Sequence, residues 1–195
     1  MGLFDKIKNQ ATKATGQAAG SIIQGSNKTV QVTFPSMPET LAEFTALPQA
    51  ELANPFDTTA LFVAALCVYP LNKDESIAMI NHLKGPNPLS TPNIQFLATR
   101  MAQNNKAGFL GASYFDGATP QNDYAPSEPY TVSVSENPNK SGDVGYVKLF
   151  VRSGGADLPR SVTTRQAKDG KWYLWEYSSI LVDIRAPEST NVWST

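Results

Sequence analysis

Cysteine and histidine are almost missing from this chain, with one of each in 195 residues. Cys67 has no second thiol for an intrachain disulfide. It sits in the apolar run Ala60-Leu-Phe-Val-Ala-Ala-Leu-Cys-Val-Tyr69, which suits a small buried hydrophobe in a reducing, cytoplasmic compartment. His82 stands alone, which excludes a multi-histidine metal site, and no metal or cofactor is expected. An excess of positive charge is lacking too: 16 Lys and Arg face 17 Asp and Glu, so no overall field draws in nucleic acid. The longest apolar run is broken by Pro70 after about a dozen residues, short of the roughly 20 that span a bilayer. Neither Gly-x-x-x-x-Gly-Lys-Ser/Thr nor Gly-x-Gly-x-x-Gly occurs, which removes the usual nucleotide signatures. Behind Lys6 and Lys8 the chain is too polar for a signal peptide, and Lys6 stands where a myristoylation site needs Ser or Thr.

What is present divides the chain into a helical first half and a β-rich second half. Residues 1–28 read as an amphipathic or flexible arm, residues 29–187 as one α+β domain and residues 188–195 as a tail. Thr29-Val-Gln-Val-Thr-Phe34 alternates as a strand stopped by Pro35. Thr40 and Glu43 have the spacing of a capping box, and Pro48 ends the short helix they open. A second helix, starting near Asp57 and carrying Leu61, Phe62, Ala65, Leu66 and Tyr69, is apolar nearly all round and belongs at the centre of the core. A third follows Asn72 with the stripe Ile77, Ile80 and Leu83 and breaks at Gly85-Pro86. A fourth, capped by Ser90 or Thr91 with Pro92 in its first turn, carries Ile94, Leu97, Ala98 and Met101 and ends near Gly108.

Strands are predicted over 130–135, 145–152, 161–168 and 171–177, the first two joined by a polar turn over 137–143. Asp169-Gly170 predicts a two-residue hairpin loop. That loop pairs Ala167 with Trp172, Arg165 with Leu174 and Thr163 with Glu176 on one face. Gln166–Tyr173, Thr164–Trp175 and Val162–Tyr177 fall on the other, and a diagonal Arg165–Glu176 ion pair follows. Both faces carry large aromatics, so helices should cover one, and the loop over 109–130 or a partner chain part of the other.

The strings Gly111-Ala-Ser-Tyr-Phe-Asp-Gly-Ala-Thr-Pro120, Tyr124-Ala-Pro-Ser-Glu-Pro-Tyr-Thr-Val132, Tyr146-Val-Lys-Leu-Phe-Val-Arg-Ser-Gly-Gly-Ala-Asp157 and Trp172-Tyr-Leu-Trp-Glu-Tyr-Ser178 resemble an uncharacterised bacterial domain-of-unknown-function family over residues 55–187. The resemblance implies no reaction.

Function is read from the residues alone. The favoured expectation is a non-enzymatic binding or protein-interaction module, taking a protein or a small ligand. Its surface would combine the aromatic loop over 109–130 with the C-terminal sheet, through Tyr114, Asp116, Tyr124, Arg165 and Trp172. One alternative is a hydrolase built on loop carboxylates (Asp116, Asp123, Glu128, Asp143) or on a Cys67–His82 pair; such carboxylates more often cap turns, and a lone buried thiol is more often inert. Another is membrane attachment through residues 1–15, which is outweighed by docking on the domain, self-association and simple disorder together because the apolar face beyond Ile7 is mostly alanine.

Overall fold

Helix α2, Pro55–Val68, organises the molecule, a computed structural model in which residues 28–137 and 143–190 are described. The predicted N-terminal arm, with its membrane and self-association readings, and most of the turn over 137–143 lie outside the described residues. Asn54 starts α2 two residues earlier than its apolar pattern suggests, because its side chain accepts the Asp57 N–H while Pro55 takes the first turn, where no N–H is needed. Eleven of its 14 residues are buried. A helix without a polar face has to be enclosed on all sides.

The enclosure is a sheet on one side and helices on the other. Strands β1 (Thr29–Phe34), β2 (Tyr130–Glu136), β3 (Tyr146–Val151), β4 (Arg160–Gln166) and β5 (Trp172–Glu176) form an antiparallel sheet in sequence order. Helix α2 lies against all five strands. The inner face supplies Val32, Phe34, Val132, Val134, Leu149, Val151, Val162 and Leu174, each at most 4% exposed. Each such side chain contributes about 1.5–3 kcal/mol on burial. The alternate positions, among them Thr29, Thr33, Ser135, Lys148, Thr163 and Arg165, stay half-buried or exposed.

Three further helices complete the layer: α1 (Leu41–Ala46), opened by the Thr40–Glu43 capping box, α3 (Lys73–Lys84) and α4 (Thr91–Ala102). The Ser76 hydroxyl donates to Ala65 O at 2.7 Å, pinning α3 to α2, and Thr58 Oγ1 donates to Trp172 O at 2.6 Å, pinning α2 to β5. Helix α4 stops at Ala102 rather than near Gly108 because Asn104 and Asn105 are left-handed, with φ of 54° at both. Asparagine tolerates that region better than most residues.

The β4–β5 hairpin differs from its predicted register. Gln166 pairs with Trp172, Arg165 with Tyr173 and Thr164 with Leu174, while Thr163 keeps Glu176. The turn holds three residues, not two: Gly170 N–H donates to Ala167 O at 3.0 Å, Gly170 is left-handed at φ +83° and Asp169 is not. A two-residue type I′ loop needs both central residues left-handed. Asp169 instead turns its own carboxylate onto the Lys171 N–H at 3.0 Å, the local bond by which aspartate shapes turns. A bulge between Thr163 and Thr164 on β4 and Glu176 on β5 absorbs the extra residue, leaving Trp175 opposite no partner.

The long loop over 109–130 stays close to the body. Strand β3 pairs with β2 only over Val134–Glu136, and where β3 departs the loop takes its place, Asp116 N–H donating to Thr131 O at 2.9 Å. Its ring contacts are internal: Phe109 stacks on Tyr124 with centroids 5.4 Å apart, and Phe115 meets Phe34 at 6.2 Å.

Candidate functional site

The bulge and the end of α3 together build a cleft. At the C-terminus of α3, Gly85 (φ +55°) donates its N–H to Asn81 O and His82 O, and Pro86 prevents continuation. The Asn81 side chain then accepts the Leu89 N–H at 2.8 Å, folding the connection back toward α4. Tyr173 of β5 packs onto the bare face of Gly85, where an added Cβ would fall 2.2 Å from its ring. The hairpin and the α3–α4 connection thereby enclose an open cleft of about 310 Å³, lined by Lys84, Pro86, Arg165, Lys168, Tyr173 and Trp175 among others. A neighbouring cavity of about 340 Å³ shares Lys84, Asn87 and Trp175 and continues past Phe96 to Glu176 and Tyr177.

Two cations face this space in different ways. Arg165 is exposed, with its guanidinium 4.9 Å from the Trp175 ring and 5.2 Å from that of Tyr146; the two rings meet edge to face at 5.6 Å. Each ring attracts the cation through its negative face. The expected Arg165–Glu176 ion pair does not form. The bulge brings Trp175 onto Arg165, and the Glu176 Oε1 turns back to accept Tyr177 N–H at 3.0 Å and Ser178 N–H at 2.8 Å. Burial works against Glu176's charge, but those bonds and the Lys84 ammonium hold its carboxyl below the usual range.

Lys84 is the opposite case, only 8% exposed although lysine is rarely buried without a partner. Its ammonium lies 5.6 Å over the Tyr177 ring and hydrogen-bonds to no acceptor among the described residues. Burial draws its pKa below the ordinary lysine value, with the Glu176 charge opposing. On the hairpin, Tyr173 OH donates to Asp169 Oδ2 at 2.8 Å, so that carboxylate is committed to the turn.

Of Tyr114, Asp116, Tyr124, Arg165 and Trp172, only Arg165 lines the cleft, joined there by Trp175, another of the aromatics that suggest a groove. Tyr114 and Tyr124 are each 1% exposed, their hydroxyls donating to Ile180 O and Arg185 O, both at 2.7 Å. They fasten the loop to the segment after β5 and present nothing to solvent. Asp116 accepts the Ser133 hydroxyl, and Trp172 is half-buried, its backbone N–H donating to Leu52 O at 2.9 Å. Sequence reasoning missed Lys84, Tyr146, Tyr173 and Phe96. A lysine in a last helical turn beside Gly-Pro looks like an ordinary helix end, and nothing local announces its burial.

The other candidate chemistry is dispersed. Cys67 and His82 make no hydrogen bond to each other; His82 Nε2 lies 3.1 Å from Ala50 O, and burial pushes the Cys67 thiol up to about 12. Gly111 sits against Cys67, where an added Cβ would lie 2.7 Å from Sγ. Because the thiolate is the reactive form, native Cys67 should resist iodoacetamide at pH 8, with full alkylation only after unfolding in guanidinium. Rapid native labelling seen by mass spectrometry would contradict this burial. Asp116, Asp123 and Glu128 bond separately to Ser133, Ser189 and Tyr130, and among the described residues no three His, Cys, Asp or Glu side chains gather as a metal site. No described helix is long and apolar enough to cross a membrane.

The family model for a domain of unknown function, DUF6935, matches residues 36–188. The chain belongs to the DUF6935 family. The match begins just after β1 and takes in all four helices, β2–β5 and every cleft residue, so the cleft is built wholly from the DUF6935 segment. It also starts earlier than the resemblance at residue 55, extending through α1. No curated protein and no solved structure matches the chain.

Proposed function

We propose that this DUF6935 protein is a non-enzymatic binding module of a reducing, cytoplasmic setting, and that it takes its ligand in the cleft between the β4–β5 hairpin and the α3–α4 connection. The observation that carries the reading is the meeting of Arg165, Tyr173, Trp175 and a buried Lys84 around one open space. Ligand sites combine apolar walls with a few convergent polar groups, and flat rings supply contact area at low entropic cost. The loop over 109–130 supports the sheet from inside, so the contact surface narrows to the hairpin side. The half-buried Cys67, the one cysteine of the sequence, fits the reducing compartment.

A neutral aromatic probe tests the reading. Benzyl alcohol titrated into the ¹⁵N-labelled full chain should shift the amides of Lys84, Arg165, Tyr173 and Trp175 together. The double variant Arg165→Ala, Trp175→Ala should weaken that binding about ten-fold or more while keeping the far-UV spectrum, since an aromatic anchor is worth about 1–3 kcal/mol. Shifts scattered over the surface, or unchanged binding by the double variant, would refute the cleft as the site.

A further inference from the structure

Lys84 is largely buried, only 8% exposed, but its ammonium opens onto the cleft. Its three N–H donors find no hydrogen-bond acceptor among the described residues. The Tyr177 face lies 5.6 Å from it, while the nearby Glu176 carboxylate directs its hydrogen bonding to two backbone N–H groups. Arg165 stands at the cleft wall: Tyr146 and Trp175 approach its guanidinium, and its five N–H donors make no hydrogen bond to the described residues. Lys168 adds a third cation, and among the described residues no Asp or Glu lines this cleft. Two cationic donor sets, on elements distant in sequence, open into one space walled by Tyr173, Trp175 and Pro86.

Resting on the binding reading above, we infer that the ligand is an aromatic or apolar molecule carrying an anionic oxygen group, a carboxylate or a phosphate, which Lys84 holds as the buried anchor and Arg165 grips at the cleft wall. The anion would replace solvent as the acceptor for both cations, and charge-assisted bonds to guanidinium and ammonium are the strong ones. Burial disfavours the Lys84 charge and the nearby Glu176 carboxylate opposes that effect; a ligand anion would favour the charge further.

Four probes separate the sources: benzyl alcohol, benzoate, phenyl phosphate and inorganic phosphate, each titrated into the full chain by NMR. Benzoate or phenyl phosphate should bind about ten-fold tighter than benzyl alcohol, as expected when a hydrogen bond to a charged group is added. The tighter of the two identifies the headgroup, and inorganic phosphate should bind more weakly than phenyl phosphate because it leaves the aromatic wall unused. Lys84→Met should erase the preference for charged over neutral aromatic probes, read as the ratio of their affinities in the same variant, and Lys84→Arg should restore part of it. Lys171→Met, which removes a positive charge from the hairpin outside the cleft, should change nothing. Equal binding of charged and neutral aromatic probes, or a preference that survives Lys84→Met, would overturn the inference and leave the cleft reading standing. If no probe binds at all, both fall.

Discussion

Phe62→Ala is expected to remove about 3–5 kcal/mol of stability, the usual cost of deleting a fully buried aromatic, and to lower the melting temperature by about 10 °C or more. Phe62 is 0% exposed at the middle of α2, and its ring lies 5.0 Å from that of Tyr177, just beyond β5. The substitution leaves a cavity where the central helix meets the residue under the Lys84 ammonium. The loss should therefore be global, a single cooperative transition displaced to lower temperature. A melting temperature within about 2 °C of the wild type, corresponding to less than about 1 kcal/mol, would mean that α2 is not the centre of the core.

Gly154→Ala should be nearly as damaging, at about 3 kcal/mol, for a steric reason. A Cβ at Gly154 would stand 1.9 Å from Ala118 O and 3.2 Å from Thr119 Cα, both backbone atoms that no rotamer change can move aside. The Gly154 N–H also donates to Ser113 O at 2.9 Å, and the buried Ser113 and Ser153 hydroxyls meet at 2.9 Å, so the substitution pries the loop over 109–130 from the end of the sheet. Gly108→Ala is the control: nothing lies within 4 Å of its Cβ, and stability should stay within about 1 kcal/mol. Thermal denaturation distinguishes the two; equal melting temperatures would show that the loop is not clamped there.

Most of the elements are local decisions and could be read along the chain. Thr40 with Glu43, Asn54 with Pro55, Asn72 and Ser90 each satisfy helix N–H groups within a few residues, and each starts a helix whatever lies elsewhere. The all-round apolarity of 60–69 can be accommodated only by full enclosure, which places that helix at the centre of the core. The aromatics of the loop fit two readings along the chain, a contact surface, because a long irregular connection so often carries function, or a second layer of core between loop and sheet, because aromatics more often bury. Their burial follows from a non-local fact: β3 departs from β2 after Val134–Glu136, and the exposed edge needs a cover.

The residue pattern by itself determined an α+β chain, helices first and antiparallel strands after, because periodicity and capping act within a few residues. Only the tertiary structure decided the cleft. Whether Asp169-Gly170 closes two residues or three depends on a competition between turn conformations, and that one residue determines the bulge that sets Trp175 against Arg165. The burial of Lys84 depends on β5 arriving beside the end of α3, a long-range packing outcome with no trace in the residues around position 84.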